Sequence, residues 1–149
     1  MLLNPGLVFL LLIIVTVLLT AWKGGAPERL GAAVLVAMVV MSKISTAIDQ
    51  RAYVQVDSTA LVQDIFAVVC FGVLAIYSRR VWPIWATSLQ LLSFFAHLAR
   101  AVQLDLPVLA YAFMKSLPTF LATVALMIGT FAHWKRMREN QFVSDWKHW

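Results

Sequence analysis

Cysteine is nearly absent from this chain: Cys70 is the sole one, so no disulfide closes within it and no cysteine metal site can be assembled. Charge is scarce as well, at 13% of residues, where a soluble domain carries about 25%. Also missing are a glycine-rich phosphate loop, HExxH, CxxC and a GxSxG in suitable context. Those gaps remove the common signatures of nucleotide, zinc and nucleophilic-serine chemistry, and the expectation is a protein that is not an enzyme. No internal repeat or low-complexity tract stands out.

What fills the chain instead is apolar. Of its 149 residues 62% are hydrophobic, with a mean hydropathy of +0.83, whereas soluble domains run at about 45–50% apolar. Lipid is the expected solvent. Hydrophobic segments occupy residues 6–22, 29–48, 58–78, 81–101 and 106–134, and a helix crosses a bilayer with about 20 residues. Backbone groups in lipid must be paired within their own segment or in a closed barrel. The expected fold is therefore an all-α integral membrane protein. Residues 1–134 form one bundle of five transmembrane helices, followed by a basic, aromatic tail at 135–149.

The second segment is the weak one. Its uninterrupted apolar stretch, residues 30–41, crosses only if the helix continues past Ser42 and Lys43 with the lysine stem snorkelling outward. Four spans, with 29–48 as a re-entrant or interfacial hairpin, is the alternative. Connections fall at Lys23-Gly24-Gly25-Ala26-Pro27, where glycine and proline break a helix, at the polar stretch 49–57, at Arg79-Arg80 and at 103–107. The first segment is read as a retained span, because no Lys or Arg precedes it and no convincing cleavage site follows.

Two residue classes orient the bundle. With five spans and the C-terminus inside, Lys23, Arg29, Arg79, Arg80, Lys135, Arg136, Arg138 and Lys147 fall on the inner side, against Lys43, Arg51 and Arg100 outside. The excess predicts an outside N-terminus and a cytoplasmic C-terminus. All six tryptophans then lie on that inner side, with Trp22, Trp82, Trp85 and Trp134 at helix ends and Trp146 and Trp149 in the tail. They are the predicted interfacial anchors. Phe142, Trp146 and Trp149 share one face if the tail is an interfacial helix. The net charge of +5 and pI near 9.8 do not indicate nucleic acid, since the basic residues sit at scattered loop ends and not in a stripe.

Ionisable residues inside spans are the candidates for chemistry, because a central charge costs roughly 2.5–3.5 kcal/mol on insertion scales and therefore needs a partner. The candidates are Asp64, His97, Arg100 and Lys115, with Gln63 and Gln90 as uncharged companions, and Asp64, His97 and Lys115 fall in the outer half. Steps of three and four place Thr87, Gln90, Phe94, His97 and Ala101 along one helical face, with Arg100 adjoining. Tyr111, Lys115, Thr119 and Thr123 make a similar stripe, beside a kink expected at Pro118. These residues predict an outward-facing polar cavity between the last three helices, lined by Asp64, Gln90, His97, Arg100, Lys115 and Thr119, with Asp64 and Lys115 neutralising each other. Helix-fixing polar contacts are the competing use of the same residues. No cofactor and no metal is expected. Haem ligated by His97 together with a partner subunit is the main cofactor alternative, and retinal on Lys115 as a Schiff base, with Asp64 as counter-ion, is a remote one.

In size, span number and tryptophan content the chain resembles the tryptophan-rich sensory proteins, small five-helix membrane proteins that bind porphyrins and sterols. The likeness is architectural, and no residue is carried over from it. The functional expectation is a small non-catalytic accessory, assembly or anchoring subunit of a larger complex in a bacterial inner membrane. Its partners would be the bilayer and other membrane subunits or itself, with Gly31, Ala33 and Ala37 as a small-residue face for packing. The alternative is a stand-alone binding or transport protein that uses the outer polar cavity.

Overall fold

A computed structural model describes residues 5–48, 58–102, 108–139 and 144–147. They form five helices: α1 (Pro5–Lys23), α2 (Ala26–Ile48), α3 (Ser58–Tyr77), α4 (Trp82–Ala101) and α5 (Val108–Arg138). No strand occurs among the described residues, although an isolated antiparallel bridge joins Ser78 to Trp146. Three of the helices contain stretches long and apolar enough to cross a membrane: Gly6–Lys23, Ala60–Tyr77 and Leu117–Arg138. The other two carry the polar load. α2 holds Glu28, Arg29 and Lys43, and α4 holds Gln90, Ser93, His97 and Arg100.

Local chemistry sets the helix ends. The Gly24 amide closes α1 onto Thr20 O at 2.9 Å, and α2 starts at Ala26, ahead of the expected residue 29. Pro27 and Glu28 explain that earlier start, since proline suits a first turn and a carboxylate there complements the helix dipole. α5 runs without a break through Pro118 and on through Lys135, Arg136 and Arg138. The first residues of the expected tail are therefore helix. Residues 144–147 are not helical, while Phe142 and Trp149 lie outside the described residues.

Each helix packs against its chain neighbours, α5 also closes onto α1, and α2 reaches α5 across the bundle. The core is a set of large side chains held against small ones. Leu35, Met38, Phe71, Leu74, Trp82 and Leu126 meet Ala32, Ala67, Ala86 and Ala122, and the alanines let neighbouring backbones approach. Gly31 is buried in this core, whereas Ala33 is exposed and Ala37 half-buried. The three do not make one docking face, because a two-residue step on a helix turns a side chain to the opposite side.

Large apolar residues are exposed on every helix, including Leu18, Val36, Val69, Phe95 and Ile128. That outward apolar surface fits a membrane protein. Several hydroxyls are satisfied on their own helices: Thr16 donates to Leu12 O at 2.8 Å, Thr87 to Pro83 O at 2.7 Å and Thr130 to Leu126 O at 2.9 Å. Such back-bonding makes a hydroxyl tolerable in lipid.

Candidate functional site

Two buried polar clusters lie at opposite ends of the bundle. The first gathers at the end that carries Lys23, Trp82 and Arg138, here called the basic end. Arg80, in the turn between α3 and α4, is 4% exposed and Glu28 is fully buried. Arg80 Nε lies 3.2 Å from Glu28 Oε1, an ion pair without an aligned N–H···O bond. Arg80 Nη2 pairs with Asp145 Oδ1 and donates to His133 Nδ1 at 2.7 Å. Arginine has only donors, so the histidine nitrogen accepts in this contact. One guanidinium thus ties α2, α5 and the tail together.

Backbone contacts complete the strap. Asp145 Oδ2 accepts the Ala26 amide at 3.2 Å, capping the N-terminus of α2 from the far end of the chain. Arg79 N donates to Asp145 O at 3.1 Å and Lys147 N to Tyr77 O at 2.9 Å, which pins residues 145–147 along the α3–α4 turn.

Trp82 sits beneath this cluster. Its indole Nε1 donates to Glu28 Oε1 at 3.3 Å, and its ring meets Phe71 edge-on with centroids 6.1 Å apart. Gly31 and Gly129 flank it so closely that a Cβ at either position would overlap the indole. At 5% exposure, Trp82 is a core side chain, not the surface anchor expected of it. Buried tryptophan needs a partner for its N–H, and the buried Glu28 supplies one.

The remaining tryptophans divide. Trp22 is 80% exposed and Trp85 64% exposed. Trp134 is half-buried beneath Lys23, whose Nζ lies 4.0 Å from the ring centroid, and Trp146 is half-buried in the bridge to Ser78. Trp149 lies outside the described residues.

The second cluster occupies the other end, between α3 and α4. Asp64, Ser93 and His97 are all buried. Ser93 Oγ donates to Asp64 Oδ2 at 2.6 Å, and His97 Nε2 lies 3.5 Å from the same oxygen. One turn back on α4, Gln90 Nε2 donates to Thr119 Oγ1 of α5 at 3.4 Å, and Thr123 Oγ1 donates to Thr119 O at 2.9 Å. Asp64, Gln90, His97 and Thr119 therefore gather on neighbouring helices. The side chains of Arg100 and Lys115 are outside the described residues, so the expected Asp64–Lys115 pairing lies there too.

Two groups escaped the sequence reading. Ser93 is a direct partner of Asp64, and its signal was its place three residues after Gln90 and four before His97, on the same face. Glu28 and Arg80 looked like loop charges, and only the fold brings them together. His97 and His133 stand in different clusters at opposite ends of the bundle and do not share one ligand position, and His148 lies outside the described residues. Among the described residues no group of three or more His, Cys, Asp or Glu side chains is placed to hold a metal ion. No protein-family model matches the chain, and no curated protein or solved structure shows significant similarity to it.

Proposed function

We propose that this chain is a small, non-catalytic accessory or anchoring subunit of a larger complex in a bacterial inner membrane. The observation that carries this reading is the Arg80 cluster. It joins the start of α2, the α3–α4 turn, the end of α5 and the tail through Glu28, His133 and Asp145. With the tail strapped back in this way, the surface offered to a partner is mainly the apolar flank of the helices.

In this reading all five helices cross the bilayer. α2 has 23 residues and α4 has 20, and at about 1.5 Å per residue each reaches about 30 Å. Their polar groups are accommodated by position: Glu28 of α2, and Gln90, Ser93 and His97 of α4, are buried. The basic end faces the cytoplasm, following the bias of lysine and arginine, and the N-terminus is outside.

Affinity purification of the tagged chain in mild detergent tests the proposal. Stable co-purification with larger membrane subunits supports it; a homogeneous homo-oligomer carrying a small molecule points to the second reading. That reading, a stand-alone binding or transport protein, is favoured by the convergence of Ser93 and His97 on Asp64 Oδ2. Intramembrane ionisable groups commonly mark ligand, ion or proton paths.

A further inference from the structure

At the basic end the carboxylates among the described residues are already engaged. Glu28 and Asp145 both face Arg80, and Glu139 lies 3.9 Å from Lys135. Lys23, Arg29, Arg79, Arg136 and Arg138 have no carboxylate partner among the described residues. Two of these cations converge on one aromatic ring. The Lys23 ammonium, at the last residue of α1, lies 4.0 Å from the Trp134 centroid and 5.2 Å from that of Trp22. The Arg138 guanidinium, one turn beyond Trp134 on α5, lies 4.9 Å from the Trp134 ring.

Each cation is held by the ring's negative face, yet the two repel one another. An anion reaching both relieves that repulsion. We propose that Lys23, Trp134 and Arg138 form a docking site for the headgroup of an anionic phospholipid. A phosphodiester accepts hydrogen bonds from an ammonium and from a guanidinium fork at once. α1 and α5 pack against each other, and the exposed Leu18 of α1 and Ile128 and Phe131 of α5 provide apolar surface for acyl chains. Trp22, 80% exposed, is an indole suited to the headgroup layer beside them. A zwitterionic lipid offers the same phosphate but brings its own cation, which Lys23 and Arg138 repel. Net charge is therefore the selecting feature, and the site operates whether or not the chain has a protein partner.

Native mass spectrometry of the full chain in detergent, titrated with phosphatidylglycerol or phosphatidylcholine of identical acyl chains, tests the assignment. The wild-type chain is expected to fill one tight phosphatidylglycerol site before any phosphatidylcholine site. At about one elementary interaction per cation, Lys23→Gln and Arg138→Gln each weaken phosphatidylglycerol binding about fivefold and leave phosphatidylcholine unchanged. Lys23→Arg retains binding. Arg79→Gln, which removes the same charge from the same end away from the Trp134 ring, leaves the tight site intact. Equal affinity of the wild-type chain for the two lipids overturns the proposal, and this arm does not depend on any variant folding. Weakening by Arg79→Gln as large as that by Lys23→Gln also overturns it, because the effect is then diffuse charge and not a site.

Discussion

Arg80 and Glu28 form an ion pair 3.2 Å apart with both side chains sealed inside the basic end of the bundle. Taking one partner from a buried pair leaves the other charge uncompensated, at a cost of about 3–5 kcal/mol. Arg80→Met is therefore expected to destabilise the detergent-solubilised protein by that order. Combining it with Glu28→Gln should recover part of the loss, because a neutral amide replaces the stranded carboxylate and its oxygen still accepts the Trp82 N–H. A double variant whose loss equals the sum of the two singles contradicts the coupling.

Trp82 imposes glycine on both its neighbours. Gly129→Ala and Gly31→Ala each drive a methyl group into the indole, and overpacking of this kind costs about 1–3 kcal/mol. Trp82→Phe removes the outer indole atoms that a Gly31 methyl would meet and keeps the inner ones that face Gly129, so it should suppress most of the Gly31→Ala defect in thermal unfolding. Absence of suppression would place the clash elsewhere.

The tail is a structural part of the bundle. Asp145→Ala removes the carboxylate that caps Ala26 and pairs with Arg80. Loss of a cap alone costs about 0.5–2 kcal/mol. Hydrogen exchange at the first amides of α2 should accelerate, while exchange in the middle of α3 stays at the wild-type rate. Unchanged protection at Ala26 would show that the strap is not holding the helix.

Ser93 and Asp64 share a 2.6 Å hydrogen bond at the other end. Interhelical hydrogen bonds between membrane helices are worth about 0.6 kcal/mol on average and about 1.7 at most. Ser93→Ala is expected to fall in that range by denaturation in mixed micelles. A penalty well above it would indicate that the hydroxyl does more than fasten α4 to α3.

Most of the helical architecture was legible in the sequence. Apolar runs bounded by Lys23-Gly24-Gly25, 49–57, Arg79-Arg80 and 103–107 fall where helices begin and end to within a few residues, because those breakers and charges act locally. The Asp64 cluster was partly legible for a related reason: Asp64 and His97 are costly in apolar segments and had to find partners. The basic-end cluster was not, because Glu28, Arg80, His133 and Asp145 are far apart in sequence and each looks like an ordinary polar group near a helix end. Trp82 misled for the same reason. Its position at a helix end matched an interfacial ring, while the evidence for its burial lay in two distant glycines, Gly31 and Gly129.

The most direct measurement is site-specific photo-crosslinking in native membranes from the exposed apolar flanks, with the probe placed in turn at Ile14, Val36, Val69, Leu92 and Leu121, one position on each helix. The accessory-subunit reading predicts that at least one of these flanks gives a discrete adduct with a second, different polypeptide. Adducts only with lipid, or only with further copies of the same chain, at every position would contradict it.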